Sequence, residues 1–564
     1  MIERRLAELV REALRASAGE LGVDGALPEV EISVPKLRAH GDFSTNVALA
    51  LARRVGRPPR EVAEVLAAHL PADPVLARAE VAGPGFLNLF LTDAWLHDAL
   101  REAVRLGPAY GRAARLGRRV QVEFVSANPT GPLHVGHARN AVIGDAIANV
   151  MDAAGWDVER EYYFNDAGRQ MELFGASVEA RYLQRFGIDA EVPSDGYHGA
   201  YIADVAEAIA ARHGDALVHL PPAERAARVL QEGAALVLDQ IKATLERFRV
   251  RFDRYLHERE LHASGQVAQA VERLRAAGYA YEAEGAVWFR ATAFGDDKDR
   301  VLIRANGAPT YFAADCAYLV DKFSRGFDRL IYVWGADHHG DVARLKGAAQ
   351  ALGYDPEAVE IVLYQFVTLY RGGELVRMSK RAGDIVTLDE LLDEVGVDAT
   401  RFTLLARSND SPIDFDIELV KRRSMENPVY YVQYGHARIA SILRHAAERG
   451  VAPRPVEEVD LTPLATEAER DLLRAIAELP GRVLEAAELR APHRLAYFAQ
   501  ELAARFHRFY TECRVVTDDE PLTQARLHLA TGAKVAIANV LRLLGVDAPE
   551  SMERLEGEPT DAGT

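Results

Sequence analysis

The chain reads as a multidomain α/β protein, with a small N-terminal α/β domain, a central parallel-sheet domain widened by a helical insertion, and an all-helical C-terminal bundle. Three observations carry this. At 564 residues the chain is too long for one hydrophobic core, so three or four domains are expected. In its middle, short β-rich runs alternate with helical periodicity, the pattern of βαβ units. From Asn427 to about Met552, helical spacing dominates.

Composition narrows the class. Hydrophobic residues make up 49% and charged residues 27%, ordinary for a globular protein. With 67 basic against 84 acidic residues the net charge is −17, which argues against a uniformly basic nucleic-acid surface but leaves room for local basic patches. Cys316 and Cys513 lie far apart in sequence; neither a disulfide scaffold nor a thiolate metal cluster is expected, and both read as small buried hydrophobes in a reducing compartment. The N-terminus carries charges at every turn, unlike a signal peptide, and no stretch has the apolar length of a membrane span. A cytoplasmic protein is expected.

Taken in order, Ile2, Leu6, Leu9, Val10, Ala13 and Leu14 form one face of an opening helix. A strand-like EVEISV (29–34), a helix at 59–70 and AEVAGPGFLNLFL (79–91) complete a first domain of about 105 residues. Gly83-Pro84-Gly85 turns into a strand bearing Phe86 and Asn88, which reads as a hairpin with a core phenylalanine. Arg101–Arg119 carries six arginines and reads as a linker.

The central domain opens with a strand at Arg119–Val125, a turn rich in loop formers (Asn128, Pro129, Gly131, Pro132), and a helix through Ala138, Val142, Ala146 and Val150. His134 and His137 are placed in that helix's first turn, with Gly136 between them allowing close approach of a ligand. A helix start attracts phosphate, and imidazoles add donors there. The four letters HVGH alone fit a polar first turn or part of a metal site as well. Trp156–Phe164 is the next strand, broken by Asn165–Gly168. Residues 170–290 turn rich in glutamate, arginine and alanine, a helical insertion; the sheet is then expected to resume at 287–292 and 301–323. Tyr311 and Asp315 are four apart, so on one face if that part is helical; the carboxylate could pair a guanidinium or serve as an N-terminal helix charge or surface ion pair. A buried strand runs into Gly335, Asp337 and His338, whose neighbouring His339 gives no standard zinc spacing, so no structural metal is expected. The last strand is placed at 360–369, containing Gln365. Arg377–Arg381 (RMSKR) lies in a glycine-flanked polar loop, suited to a departing pyrophosphate or simply solvated.

HxGH after the first strand of an α/β unit, with MSK about 240 residues on, resembles the class I aminoacyl-tRNA synthetases. EFVSANPTGPLHVGHARN, YYFNDAGRQ, WGADHHGD, VRMSKRAGD and YVQYGHAR together resemble the bacterial-type arginyl enzymes, nearly end to end. The resemblance implies ATP-dependent attachment of L-arginine to tRNA(Arg), with Mg²⁺ travelling with ATP. It implies a tRNA D-loop domain at 1–110, a Rossmann catalytic domain at 111–375 with the insertion at about 170–290, a stem-contact region at 376–426 and an anticodon-binding domain at 427–564. Catalytic residues would be His134, His137 and Lys380. ATP would meet Pro132, Gly136, His137, Gly335, Asp337, His338, Met378, Ser379 and Lys380. Arginine would meet Glu123, Ser126, Asn128, His134, Tyr311, Asp315 and Gln365. The tRNA would meet Phe86, Asn88, Tyr431, Tyr434, Arg438 and Met552. The sequence departs from the KMSKS signature, with Arg377 for the first lysine and Arg381 for the last serine, which puts most of the pyrophosphate work on Lys380. A monomer is expected. The alternatives are a class I synthetase for another amino acid, against which Tyr311 and Asp315 argue, and an HxGH nucleotidylyltransferase.

Overall fold

The computed structural model describes residues 2–553 apart from Asp24, Lys36, Arg38, Ala39, Ala167 and 377–385. It divides into two compact units: Met1–Gly111 with Ile439–Gly481 and Ala504–Ala536, and Arg112–Arg438 with Arg482–Ala503 and Ile537–Thr564.

In the first unit, strands β1 (Phe43–Thr45), β2 (Leu76–Ala82) and β3 (Phe86–Leu91) form an antiparallel sheet in the order β1-β3-β2. The opening helix Ile2–Leu21 buries Leu6, Val10 and Leu14 in a core with Leu51, Leu66, Leu87 and Leu89, as its periodicity predicts. The strand expected at 29–34 is only one bridge, Ser33 to Ser44. Gly85, at φ 144°, is required at the hairpin: a Cβ there would lie 2.8 Å from Pro59. The expected linker at Arg101–Arg119 is partly helix, since Ala94–Leu106 runs through Arg101 and Arg105.

The second unit is organised on a five-stranded parallel sheet. Its strands are β4 (Arg119–Glu123), β5 (Asp157–Phe164), β6 (Arg254–His257), β10 (Arg329–Gly335) and β11 (Val359–Tyr364), in the order β11-β10-β4-β5-β6. The chain therefore builds outward from β4 in one direction and later returns to build from β4 in the other. That reversal, between β4 and β10, opens a crevice at the carboxyl ends of the two strands. Helix Val135–Ala153 packs close to the sheet because Gly144 has no side chain: a Cβ would fall 2.1 Å from the Phe124 ring.

Three sequence expectations change here. β6 lies inside the stretch read as helical insertion, and joins the main sheet. The strands near 287–292 and 301–303 do not resume that sheet. They are β8 (Ala286–Phe289) and β9 (Arg300–Ile303), which with β7 (Ala280–Ala283) make a separate antiparallel sheet. The expected last strand is two strands, β11 and β12 (Val367–Arg371). β12 leaves the main sheet to pair with β13 (Glu374–Leu375) and β14 (Ile413–Asp416). Periodicity sees each run as extended but not which edge it joins.

Arg401, fully buried, ties the unit together. It pairs with Asp145 and donates to the carbonyls of Leu544 at 3.0 Å and Phe248 at 2.8 Å. Removing one partner of such a pair strands a buried charge. Arg401→Met is expected to destabilise the unit by about 3 kcal/mol in denaturant unfolding. Asp145→Asn added to it is expected to recover part of that loss, because it removes the buried carboxylate, which without Arg401 faces Arg160 at 4.0 Å and Asn149 at 3.3 Å.

Candidate active site

The site is built from the junction after β4. The strand ends at Glu123, two residues earlier than its alternation predicts, because Val125 (φ 65°) and Ser126 (φ 41°) take left-handed conformations. A β-branched residue there is strained, so the surroundings must hold it. Asn140 does so. Its Oδ1 accepts from the Val125 N–H at 2.6 Å, and its Nδ2 donates to the Val333 carbonyl on β10 at 2.9 Å. The Tyr162 hydroxyl fixes the next residue, accepting from Ala127 N–H at 3.0 Å and donating to Ala127 O at 2.9 Å.

The two histidines are arranged differently from the expectation. His134 is the N-cap of helix Val135–Ala153, and His137 is its third residue. His134 Nδ1 accepts the Gly136 N–H at 3.2 Å, while His137 Nδ1 accepts the His134 N–H at 3.2 Å. The rings lie 3.9 Å apart, tilted by 33°. An Nδ1 that accepts a backbone N–H bears no proton, so each neutral ring carries its proton on Nε2. Pro132 and Gly136 lie half-buried beside them. A side chain at Gly136 would meet the His134 ring at 3.1 Å.

Lys380, with Arg377, Met378, Ser379 and Arg381, lies outside the described residues. The chain that follows is described, and it returns to the histidines. Thr387 bridges His134, and Leu388 N–H donates to Leu133 O at 2.8 Å.

On the other side of the crevice, β10 ends at Gly335 and a short 3₁₀ helix Ala336–Asp341 follows. Asp337 and His338 are exposed, and His338 Nδ1 lies 3.3 Å from Asp341. Gln365 sits not within a strand but between β11 and β12. Its N–H donates to Asn409 O at 2.9 Å and its carbonyl accepts from Arg139 at 2.6 Å. Arg139 is wholly buried and faces four carbonyls, those of Gln365, Phe366, Ser408 and Ser411. Burial draws its guanidinium down to about 10, against the opposing pull of Tyr364 and Asp410.

The remaining wall is acidic. Tyr311 and Asp315 share a face of helix Tyr311–Ser324, as their spacing predicts. The Tyr311 hydroxyl lies so close to Gly168 (φ 83°) that a Cβ there would sit 2.5 Å from it. Asp315 reaches solvent through the cleft but is enclosed by protein on its other sides. That enclosure, with Glu258, Glu123 and Asp341 facing it, pushes its carboxyl up to about 7; Arg344 opposes the shift. Glu123 is buried and already holds an ammonium, that of Lys322 at 2.5 Å, while also accepting the Ser126 hydroxyl at 3.1 Å. Asn128 Nδ2 donates to Gln170 at 2.5 Å. Glu258 was not among the expected residues. It is buried, bonded to the Tyr163 hydroxyl at 2.8 Å, and burial raises its carboxyl above the ordinary range. In sequence it is one glutamate of HERE, and only the fold brings it to Asp315.

The residues expected to meet tRNA divide by exposure. Phe86 is 40% exposed, while Asn88, on the same face of β3, is buried. Tyr431 is half-buried at the start of helix Pro428–Glu448. Tyr434 is buried, with the Arg438 guanidinium 5.2 Å over its ring and bonded to its hydroxyl. Met552 is half-buried. Among the described residues no group of three or more His, Cys, Asp or Glu could hold a metal ion, and no helix is long and apolar enough to cross a membrane. Cys316 and Cys513 are free and buried.

A sheet reversed at β4, with a histidine-capped helix on one side of the crevice, defines the catalytic domain of a class I aminoacyl-tRNA synthetase. Residues 99–415 match the family model described as tRNA synthetases class I (R), catalytic domain. Residues 4–91 match the arginyl tRNA synthetase N terminal domain, and 432–552 the DALR anticodon binding domain. The chain is 50% identical over 558 residues to the arginine–tRNA ligase of Heliobacterium modesticaldum, covering 98% of this chain and 99% of that protein. It is 49% identical to that of Carboxydothermus hydrogenoformans over 97% of this chain and 99% of that protein. Among solved structures, the Thermus thermophilus arginyl-tRNA synthetase superposes with a TM-score of 0.76 at 27% identity, over 98% of this chain and 100% of that one. The chain belongs to the arginyl-tRNA synthetase family.

The Asp315 shift makes a stability prediction. A carboxyl raised in the folded state favours folding while protonated, and that contribution is lost as pH rises from the ordinary carboxylate range through about 7. Asp315→Asn keeps a neutral group. Its thermal midpoint is therefore expected to exceed that of the parent chain by more at pH 8 than at pH 5.5.

Proposed function

We infer that this chain is an arginine–tRNA ligase: L-arginine and ATP give arginyl-adenylate and pyrophosphate, and the arginyl group then passes to the terminal ribose of tRNA(Arg), releasing AMP. The observation that carries this reading is one crevice with two unlike walls. One is a histidine-capped helix start suited to a triphosphate. The other is an acidic wall around Asp315 suited to a guanidinium.

Arginine's carboxylate attacks the α-phosphorus in line, and no side-chain nucleophile is needed; positioning and stabilisation of developing charge set the rate. His134 and His137 offer Nε2–H donors to the phosphates at the positive end of a helix. Lys380 would neutralise the departing pyrophosphate. It stands seven residues ahead of Thr387, and seven extended residues span at most about 24 Å, so its tether to His134 supports this role. Pro132, Gly136, Gly335, Asp337 and His338 flank the nucleotide, with Met378 and Ser379 beside Lys380. Mg²⁺ would be held mainly by phosphate oxygens and water. Glu123, Ser126 and Asn128 would face the arginine's ammonium and carboxylate, and Gln365 its backbone, with Tyr311 and Asp315 on the guanidinium.

Phe86 has the exposed ring a D-loop base would stack on, with Asn88 behind it. Tyr431, Tyr434, Arg438 and Met552 would form the anticodon surface, with Tyr434 chiefly orienting Arg438. A cytoplasmic monomer fits this reading.

ATP–pyrophosphate exchange in the presence of tRNA is expected with arginine and with no other amino acid; exchange supported by a different amino acid, or no binding of tRNA, overturns the assignment. Running it without tRNA shows whether tRNA must bind before activation. His134→Ala and Lys380→Ala should each lower kcat by about a hundredfold with smaller changes in KM, since both donors act on charge that develops in the transition state. Substrate arginine pairs only with ionised Asp315, so kcat/KM for arginine should fall as pH drops below about 7, and Asp315→Asn should remove that limb.

A further inference from the structure

Glu123 stands at the end of β4, where the strand meets the left-handed turn. Its two oxygens are engaged differently. Oε2 accepts from Lys322 Nζ at 2.5 Å; Oε1 accepts the Ser126 hydroxyl at 3.1 Å. Ser126 Oγ in turn accepts the Tyr163 N–H at 3.2 Å, so this hydroxyl is oriented from both sides. Lys322 is completely buried, its ammonium 4.0 Å from the Tyr318 ring centroid and 3.7 Å from that of Tyr332.

Packing alone does not call for this lysine. An apolar side chain of similar length, over the same two rings and opposite a glutamine, would avoid desolvating two charges. The pair makes physical sense if Glu123 must stay charged and in place, because a lone buried carboxylate takes up a proton and turns aside.

We propose that Lys322 is a positioning residue of the amino-acid pocket: it holds Glu123 so that Oε1, with Ser126, is presented to the α-ammonium of the substrate arginine. The proposal rests on the reading that Glu123 and Ser126 meet that ammonium. Lys322 meets Oε2, not the Oε1 that accepts Ser126, and acts through the carboxylate. The charged groups around the pair come from each packed element. Glu161 on β5, Asp315 and Arg325 at the two ends of the covering helix, and Tyr332 on β10 all act on the pair or share its field. Burial lowers the Lys322 ammonium and the two glutamates raise it, so the pair depends on both carboxylates being charged.

The test uses the full-length chain in aminoacylation, and begins with E123Q. That change should raise KM for arginine about tenfold, the worth of a charged hydrogen bond, while KM for ATP stays put. An unchanged arginine KM in E123Q removes the underlying reading, and the proposal with it. Given that first result, K322M should raise the arginine KM to a similar extent at pH 7. The ratio of variant to parent KM should narrow by pH 8.5, as Glu123 without its cation ionises late. K322R, which keeps the charge, should restore much of the loss. The double variant E123Q/K322M has no lone buried charge, and its arginine KM should equal that of E123Q alone. It decides the matter even if K322M does not fold. A pH-independent K322M effect, one shared equally by KM for ATP and kcat, or a double variant clearly worse than E123Q overturns the proposal.

Discussion

The site depends on one asparagine side chain. Asn140 accepts from Val125 and donates to Val333, joining the two strands between which the sheet reverses direction. A parallel sheet leaves a gap at such a reversal, because successive connections depart to opposite sides. The gap is useful only if its lips are held at a fixed separation. Asn140 does this from the helix that His134 caps, so the strained Val125–Ser126 turn, the histidine pair and the end of β10 form one rigid assembly. Arg139, beside it, reaches the other way to the carbonyls of 365–366 and 408–411 and anchors the segment carrying Gln365. Two adjacent residues of one helix thus set most of the crevice.

The electrostatics of its two walls are opposed. At the helix start, donors come from neutral imidazoles, with the positive end of the helix behind them. Across the crevice, burial together with the field of Glu258, Glu123 and Asp341 lets Asp315 ionise only near neutrality. A carboxylate in that condition is poor at stabilising its own fold and good at gaining from a cation, since pairing with a guanidinium offsets the burial and the neighbouring negative charge that raised it. Glu123 is the exception in this wall. Lys322 meets its charge at Oε2, which fixes the carboxylate in place.

Much of this was legible in the sequence. The strand–turn–helix around HVGH could be read because its signals are local: β-branched alternation, loop formers and 3.6-residue periodicity. Spacing put Tyr311 and Asp315 on one face only if the run is helical, and the helix Tyr311–Ser324 lies where the sheet was expected to resume. His134 as a helix cap was not legible, because histidine is an unusual capping residue and only the backbone geometry reveals it. Nor was the partition of strands. The β8 and β9 runs look like sheet, but their antiparallel partner β7 is set by tertiary folding, and β6 hides within a helix-rich insertion. Glu258 and Lys322 were illegible for a related reason: on their own helices each reads as an ordinary charge, and their meaning comes from residues about 60 and 200 positions away in the chain.

The acidic wall, on the proposed reading, distinguishes the charge of a guanidinium from a merely long polar side chain. Citrulline has arginine's shape with a neutral ureido group. Comparing kcat/KM for aminoacylation with arginine and with citrulline tests this directly. Rejection of citrulline by about 10⁴-fold or more is expected of a site built to pair a charged group that citrulline lacks; a ratio within about tenfold, the scale of a small difference in packing, would contradict it.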